Sequence, residues 1–451
     1  MISIETFVDE GLGHSSFLVD LGDGHALVVD PPRIPDLHLE VARQRGLTIT
    51  RTADTHSHAD YVSGSPTLAA HGAEFLAPEG GHLEIAHRGI TPGEEVELRP
   101  GLVLRAIPTP GHTPEHLAYL LSEDGQPVAL FSGGSLMVGT LGRTDLLGPE
   151  LQGDLARQLY HALHDEILSL PSDLAVYPTH GAGSFCSAPG ATDRTTTIGR
   201  ERATNPLLQA LDEDSFVDQL VAGFGSFPAY FSRLPEVNRH ATRAFDRVPT
   251  LDRLALDRFR ELLDAGALVV DARPMLEFGR GHVPGALSIE LRLVFASWLG
   301  WLAQPDTQLL FVLDDDQDRA DLVRHCLEVG YENLAGELGG GMATWRAGGL
   351  PEEHIPVVGL GEVTPPVLDV RQHGEFLTGH LPGAVNVELG SLGTTLDSIP
   401  ASPLVLMCGH GERAMTGASI LVGHGRQDIT VLTGGPTDWA AATGRTLATG
   451  P

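Results

Sequence analysis

Short apolar runs bounded by turn residues punctuate this chain. Residues 47–52, 102–109 and 174–177 read as buried strands of this kind, as do 404–407 and the run 26–30 that follows Val19-Asp20-Leu21-Gly22-Asp23-Gly24. Helix-like stretches are expected at 200–220 and 414–422, so the pattern as a whole is that of an α/β protein. Histidines follow three of the strands directly, in His56-Ser57-His58-Ala59-Asp60, Gly111-His112-Thr113 and Pro178-Thr179-His180-Gly181. Side chains that leave the ends of neighbouring strands meet at one edge of a sheet, and this placement predicts a metal site.

His56 and His58, two apart at a bend, can turn both imidazoles to one ion, and His112 adds a third nitrogen. Such a donor set suits zinc or ferrous iron better than magnesium or calcium. Scattered loop histidines are the ordinary reading in a chain with 21 of them, but their shared position at strand ends favours ligation. These residues resemble the HxHxDH pattern and later histidines of the metallo-β-lactamase superfamily, over about the first 200 residues. Two positions depart from that pattern. Tyr61 stands where the sixth residue is a histidine, and Gly134, in Phe131-Ser132-Gly133-Gly134-Ser135-Leu136, stands where the bridging aspartate belongs. The resemblance is closer to the single-iron persulfide dioxygenases, which implies a centre of His56, His112 and a carboxylate that this chain lacks at 134. His58, Asp60, Asp145 or His180 is left to fill that corner, and Gly134→Asp, which puts the carboxylate back, separates a degenerate domain from an altered but working site. Gly142-Arg143-Thr144-Asp145 resembles the same family's GRTD segment, placing Arg143 either against the carboxylates of a glutathione-like thiol or in an internal pair with Asp145.

The second half is one pattern written twice. Asp271-Ala272-Arg273, Glu277-Phe278 and Gly281-His282-Val283-Pro284-Gly285-Ala286 recur as Asp369-Val370-Arg371, Glu375-Phe376 and Gly379-His380-Leu381-Pro382-Gly383-Ala384, at a constant offset of 369 − 271 = 98 residues. Each copy ends in Gly-Gly-x-x-x-Trp, at Trp345 and Trp439. In the later copy a strand runs into Cys408-Gly409-His410-Gly411-Glu412-Arg413 and then a helix. Backbone N–H groups, a helix N-terminus and Arg413 all favour an anion at the Cys408 sulfur, and the two glycines let the loop curl around it. The copies resemble the rhodanese domain. The resemblance implies Cys408 and Arg413 as catalytic residues, with Gly409, His410, Gly411 and Glu412 around the substrate. Aligned on Arg319, the earlier copy reads Asp314-Asp315-Asp316-Gln317-Asp318, with Asp314 in the cysteine's place. A carboxylate cannot carry sulfane sulfur, so that copy is expected to be inert.

Composition narrows the setting. With 42% hydrophobic residues and no 18-residue apolar run, no membrane span is expected. The N-terminus lacks the basic and apolar regions of a signal peptide. Three cysteines, Cys186, Cys326 and Cys408, fit a reducing cytoplasm, and Cys186 is expected in the core, with a place near the metal mouth as the alternative. Acidic residues exceed basic ones by 59 − 29 = 30, which disfavours nucleic acid as a partner. Every basic residue is Arg, which we read as a coding bias of the source.

The expected organisation is a metallo-β-lactamase αββα sandwich with a helical appendage at 1–245, a rhodanese-like domain without its cysteine at 248–350, and an active rhodanese domain at 358–451, with 351–366 as linker. This order matches that of persulfide dioxygenase–rhodanese fusions. The resemblance implies one Fe(2+) per chain, with Zn(2+) as the alternative, and a low-molecular-weight thiol persulfide, O2 and thiosulfate as substrates. Two rival functions stay open: a zinc thioester hydrolase of the glyoxalase II class, and a sulfurtransferase with a degenerate metal domain. The oligomeric state also stays open.

Overall fold

The computed structural model describes residues 2–186, 192–240, 243–363, 366–400 and 403–450. The chain divides into two compact units, Met1–Pro249 with Leu327–Gly330, and Thr250–Cys326 with Tyr331–Pro451.

The first unit holds two six-stranded sheets. One runs β1 (Ser3–Asp9), β2 (His14–Asp20), β3 (His25–Val29), β4 (Thr48–Ala53), β5 (Glu74–Pro78) and β6 (Arg88–Ile90) in spatial order. The other comprises β7 (Glu95–Arg99), β8 (Leu102–Pro108), β9 (Leu117–Glu123) and β10 (Gln126–Gly133). After a small hairpin of β11 (Leu136–Met137) and β12 (Thr140–Leu141), β13 (Ala175–Pro178) and β14 (Thr196–Thr197) complete that sheet beside β10.

Strand periodicity of two explains the layering. Phe17, Val19, Leu27 and Val29 meet Leu104, Tyr119, Leu121 and Phe131 between the sheets. The alternate residues Leu18, Ala26 and Val28 pack on Ala42 and Leu68 of the helices Asp36–Arg45 and Ser65–Ala70. On the far side Ala118, Leu120 and Leu130 pack on Ala156 and Leu159 of the helix Pro149–His161. Both faces of these strands are covered, which is why they read as continuous apolar runs. The appendage expected as one helix over 200–220 is two, Ile198–Thr204 and Glu213–Ala222. Pro206 lacks the N–H that would continue the first, and Asp212 caps the second by accepting from Ser215 N–H at 2.8 Å.

The second unit contains two five-stranded sheets of the same order. The earlier sheet is β15 (Arg253–Leu254), β16 (Leu268–Asp271), β17 (Leu287–Ser288), β18 (Leu309–Val312) and β19 (Leu334–Leu338), arranged β15-β19-β18-β16-β17. The later one, β20 (Val357–Val358), β21 (Val367–Asp369), β22 (Val385–Asn386), β23 (Leu404–Met407) and β24 (Ile429–Leu432), is arranged β20-β24-β23-β21-β22. One apolar cluster runs through both copies, from Phe259 and Val269 to Leu368 and Leu406. The expected linker 351–366 is therefore partly structural, since it supplies the edge strand β20; its Thr364 and Pro365 lie outside the described residues.

The repeated motif has a structural cause. Arg273 forks onto Asp271 at 2.9 and 2.6 Å and donates to Gly281 O, and Arg371 does the same with Asp369 and Gly379 O. His282 and His380 stack on Phe278 and Phe376, each with ring centroids 3.7 Å apart. Among the described residues no helix is long and apolar enough to cross a membrane.

Candidate metal centre and sulfur-transfer loop

Every predicted ligand lies beyond the C-terminal end of a strand: His56, His58 and Asp60 after β4, His112 after β8 and His180 after β13. All five are buried. Ligand atoms of His56, His58 and His180 lie within 4.8 Å of one another, and those of His112, His180 and Cys186 form a second such set.

Hydrogen bonding fixes which nitrogen of each ring is free. Asp30, at the end of β3, is the hub: it accepts from Thr55 N–H at 2.7 Å, Thr55 Oγ1 at 2.9 Å, His58 Nε2 at 3.2 Å and Thr179 Oγ1. Burial alone would raise the Asp30 carboxyl, but His58 and these donors hold it at about 2. Thr55 spends its hydroxyl proton on Asp30, so its oxygen accepts from His56 Nδ1 at 2.8 Å and leaves a lone pair on His56 Nε2. His58 gives its Nε2 proton to the same carboxylate, leaving Nδ1 free. His112 Nδ1 donates to the Arg143 carbonyl at 2.8 Å, leaving Nε2 free. His58 Nδ1 and His112 Nε2 indeed have no hydrogen-bond partner among the described residues. Buried lone pairs with their opposite nitrogens locked are what a transition-metal site requires, so the residues fit such an ion.

His180 places Nε2 3.3 Å from His56 Nε2 and Nδ1 3.2 Å from Asp60 Oδ2. Burial disfavours the charged ring, yet Cys186 and Asp60 push its pKa well above the ordinary value. Burial also pushes the Cys186 thiol up.

The structure explains both departures from the family pattern. The Tyr61 hydroxyl lies 2.9 Å from His58 Nε2 and donates to Asp30 O at 3.3 Å, orienting a ligand instead of being one. At Gly134 an added Cβ would lie 2.4 Å from His112 Cδ2, and at Gly142 it would lie 3.0 Å from His112 Cγ. The His112 ring fills a slot between two glycines. An aspartate at 134 would bring its Cβ against that ring, so His112 would have to shift to admit it.

Arg143 resolves to the internal pair. Its guanidinium forks onto Asp145 at 2.7 and 2.8 Å, donates to Phe185 O and Gly225 O, and lies 4.3 Å from the Phe227 ring centroid. Being 2% exposed, it has no face for substrate, and Asp145 is spent on it. His116, Asp30 and Thr55 are functional neighbours that motif reading missed. His116 Nε2 accepts from Gly134 N–H at 2.9 Å and its ring stacks on His56, so its lone pair is consumed. A cleft lined by Ser57, Pro78, Gly81, Leu83 and Asn238 reaches His56 and His58.

In the second unit Cys408 directly follows β23 and is 1% exposed. Its sulfur accepts from Gly411 N–H at 3.0 Å, immediately before the helix Glu412–Gly423. Gly411 takes φ +127°, which side chains avoid, and a Cβ there would lie 2.5 Å from Met275 Cε of the earlier copy. Arg413 runs along the loop and forks onto Glu375 at 2.6 and 2.9 Å. His410 is exposed, whereas Gly409 and Glu412 are half-buried.

The earlier copy inverts this arrangement. Arg319 forks onto buried Glu337 and donates to the carbonyls of Asp314 and Gln317 at 2.7 and 2.5 Å. The Gln317 side chain takes the Asp314 N–H at 2.9 Å. That loop turns carbonyls to a cation where the later one turns an amide to sulfur.

The rhodanese-like domain family model matches residues 255–348 and 358–442. A metallo-beta-lactamase structure from Staphylococcus aureus superposes with a TM-score of 0.65 at 26% identity, covering 75% of this chain and 98% of that one. A hydroxyacylglutathione hydrolase from Polaromonas sp. is 30% identical over 230 residues, 46% of this chain and 84% of that protein. The chain belongs to the metallo-β-lactamase-fold proteins, fused here to rhodanese-like domains. Human mitochondrial persulfide dioxygenase ETHE1 is 29% identical to this fusion over 204 residues, 43% of this chain and 71% of that protein.

Proposed function

We propose that this fusion is an enzyme of sulfur metabolism that oxidises a low-molecular-weight thiol persulfide with O2 and one water, giving sulfite and the free thiol, and moves sulfane sulfur through Cys408. The carrying observation is the pair of buried imidazole nitrogens on His58 and His112 that have no hydrogen-bond partner among the described residues, set beside His56, in a chain that also holds a thiol accepting a backbone N–H. Ferrous iron held there would supply the chemistry that activates O2 toward a sulfur substrate. The chain's part is to hold it by these imidazoles, to fix them through Asp30, Thr55 and the Arg143 carbonyl, and to keep bulk water out.

At the second site the Cys408 thiolate attacks the sulfane sulfur of thiosulfate. The S–S bond breaks, sulfite leaves with the electron pair, and Cys408 carries a persulfide. An acceptor thiolate then takes the terminal sulfur and becomes a thiol persulfide, the substrate class of the first site. Gly411 N–H and Arg413 hold the negative charge during both transfers.

The thioesterase reading has sequence similarity behind it but not the geometry. Tyr61 stays a phenol, because burial and then the Asp30 charge push its pKa well above the ordinary value, and no carboxylate stands at 134. Protein produced with iron available is expected to hold about one iron per chain and to consume O2 on a thiol persulfide with sulfite appearing. Two tightly bound zinc ions with thioesterase activity, and no O2 uptake, would refute the proposal.

A further inference from the structure

The slot around His112 leaves an open question at the metal: which group supplies the anionic ligand that Gly134 cannot. We propose that Cys186 does so, binding the metal as a thiolate beside His112 and His180. This rests on the reading that the histidine cluster holds a metal. Three observations carry it.

The Cys186 sulfur lies within 4.8 Å of ligand nitrogens of both His112 and His180, and all three residues are buried. His112 Nε2 is buried without a hydrogen-bond partner among the described residues, so an acceptor aimed into this cluster is left for a cation. Finally, a single peptide segment holds both candidates in place. The Arg143 carbonyl accepts from His112 Nδ1 at 2.8 Å, while the Arg143 N–H donates to Cys186 O at 2.9 Å. The Arg143 guanidinium adds a bond to Phe185 O at 2.9 Å, and Cys186 N–H donates to Ser184 Oγ at 3.1 Å. The loop that carries the thiol is therefore fixed to the residue that aims the imidazole, the kind of outer support that metal ligands have. A soft thiolate with imidazoles selects ferrous iron, zinc or cobalt over calcium and magnesium, and a bound cation deprotonates the thiol outright.

The test uses cobalt(II) added to the metal-free full chain, because thiolate–cobalt bonds absorb in the near ultraviolet whereas imidazole and carboxylate ligands give only visible ligand-field bands. The parent, Cys408→Ser and Cys326→Ser are expected to show the thiolate band at one cobalt per chain. Cys186→Ser is expected to lose it and to bind cobalt more weakly, beyond the roughly 10–100-fold that a displaced supporting residue costs. Cobalt bound in the parent with visible bands but no thiolate band would overturn the proposal and leave the histidine centre standing. A thiolate band that survives in Cys186→Ser would overturn it equally. Failure of the parent to bind cobalt, or binding indifferent to His56→Ala, would overturn the metal centre itself.

Discussion

Gly134→Ala asks whether the slot that seats His112 is real. The backbone at 134 is not left-handed, so the cost of a methyl group there is steric alone. Its carbon would stand 2.4 Å from His112 Cδ2 and 2.8 Å from Cγ, against the roughly 3.5–4.0 Å of a relaxed carbon contact. The ring must then move by about 1 Å, which stretches its 2.8 Å bond to the Arg143 carbonyl past the roughly 3.2 Å limit of a good N–H···O bond. Overpacking of this kind costs about 1–3 kcal/mol. For a unit of this size that lowers its melting temperature by about 2–4 °C per kcal/mol. Misaiming Nε2 is expected to weaken metal binding by roughly 10–100-fold. Calorimetry of the metal-free protein and metal competition against a chelator read the two effects separately. A variant that melts with the parent and binds metal with parent affinity would show that His112 is not confined by the glycines.

Three further outcomes follow from named contacts. Asp30→Asn keeps the shape of the hub but removes the charge that fixes His56 and His58, and metal affinity should fall by roughly 10–100-fold in the same competition assay; unchanged affinity would remove Asp30 from the centre. Cys408→Ser should abolish sulfur transfer from thiosulfate to a thiol while leaving O2 uptake on added persulfide intact, and transfer at the parent rate would show that another group carries the sulfur. In that background Asp314→Cys should not bring transfer back, because Arg319 and Gln317 already occupy the earlier loop; recovered transfer, measured as sulfite release, would show that the loop re-forms around a thiol.

Much of the fold was legible in the chain as written. Apolar runs marked strands because both faces of each sheet are covered, and the constant 98-residue offset revealed a duplicated domain whose two sheets share one strand order. His56, His58, His112 and His180 announced themselves through a shared position after strands, and Cys408 through its glycines and the helix that follows. Position along a chain states which residue types are available near a sheet edge, and no more than that. Which nitrogen faces inward depends on Asp30, 25 residues before Thr55, and on the Arg143 carbonyl, 31 residues after His112. Arg143 read equally as a substrate-binding residue or as the internal partner of Asp145, and its surroundings show four of its hydrogen bonds spent on protein partners. For Cys186 the sequence left the core and the metal mouth both open, and the fold sets its buried sulfur beside two histidines. Local pattern is governed by side-chain period and turn chemistry, which act over a few residues. Tautomers, ligand choice and the room at Gly134 are governed by contacts that exist only once distant strand ends have met.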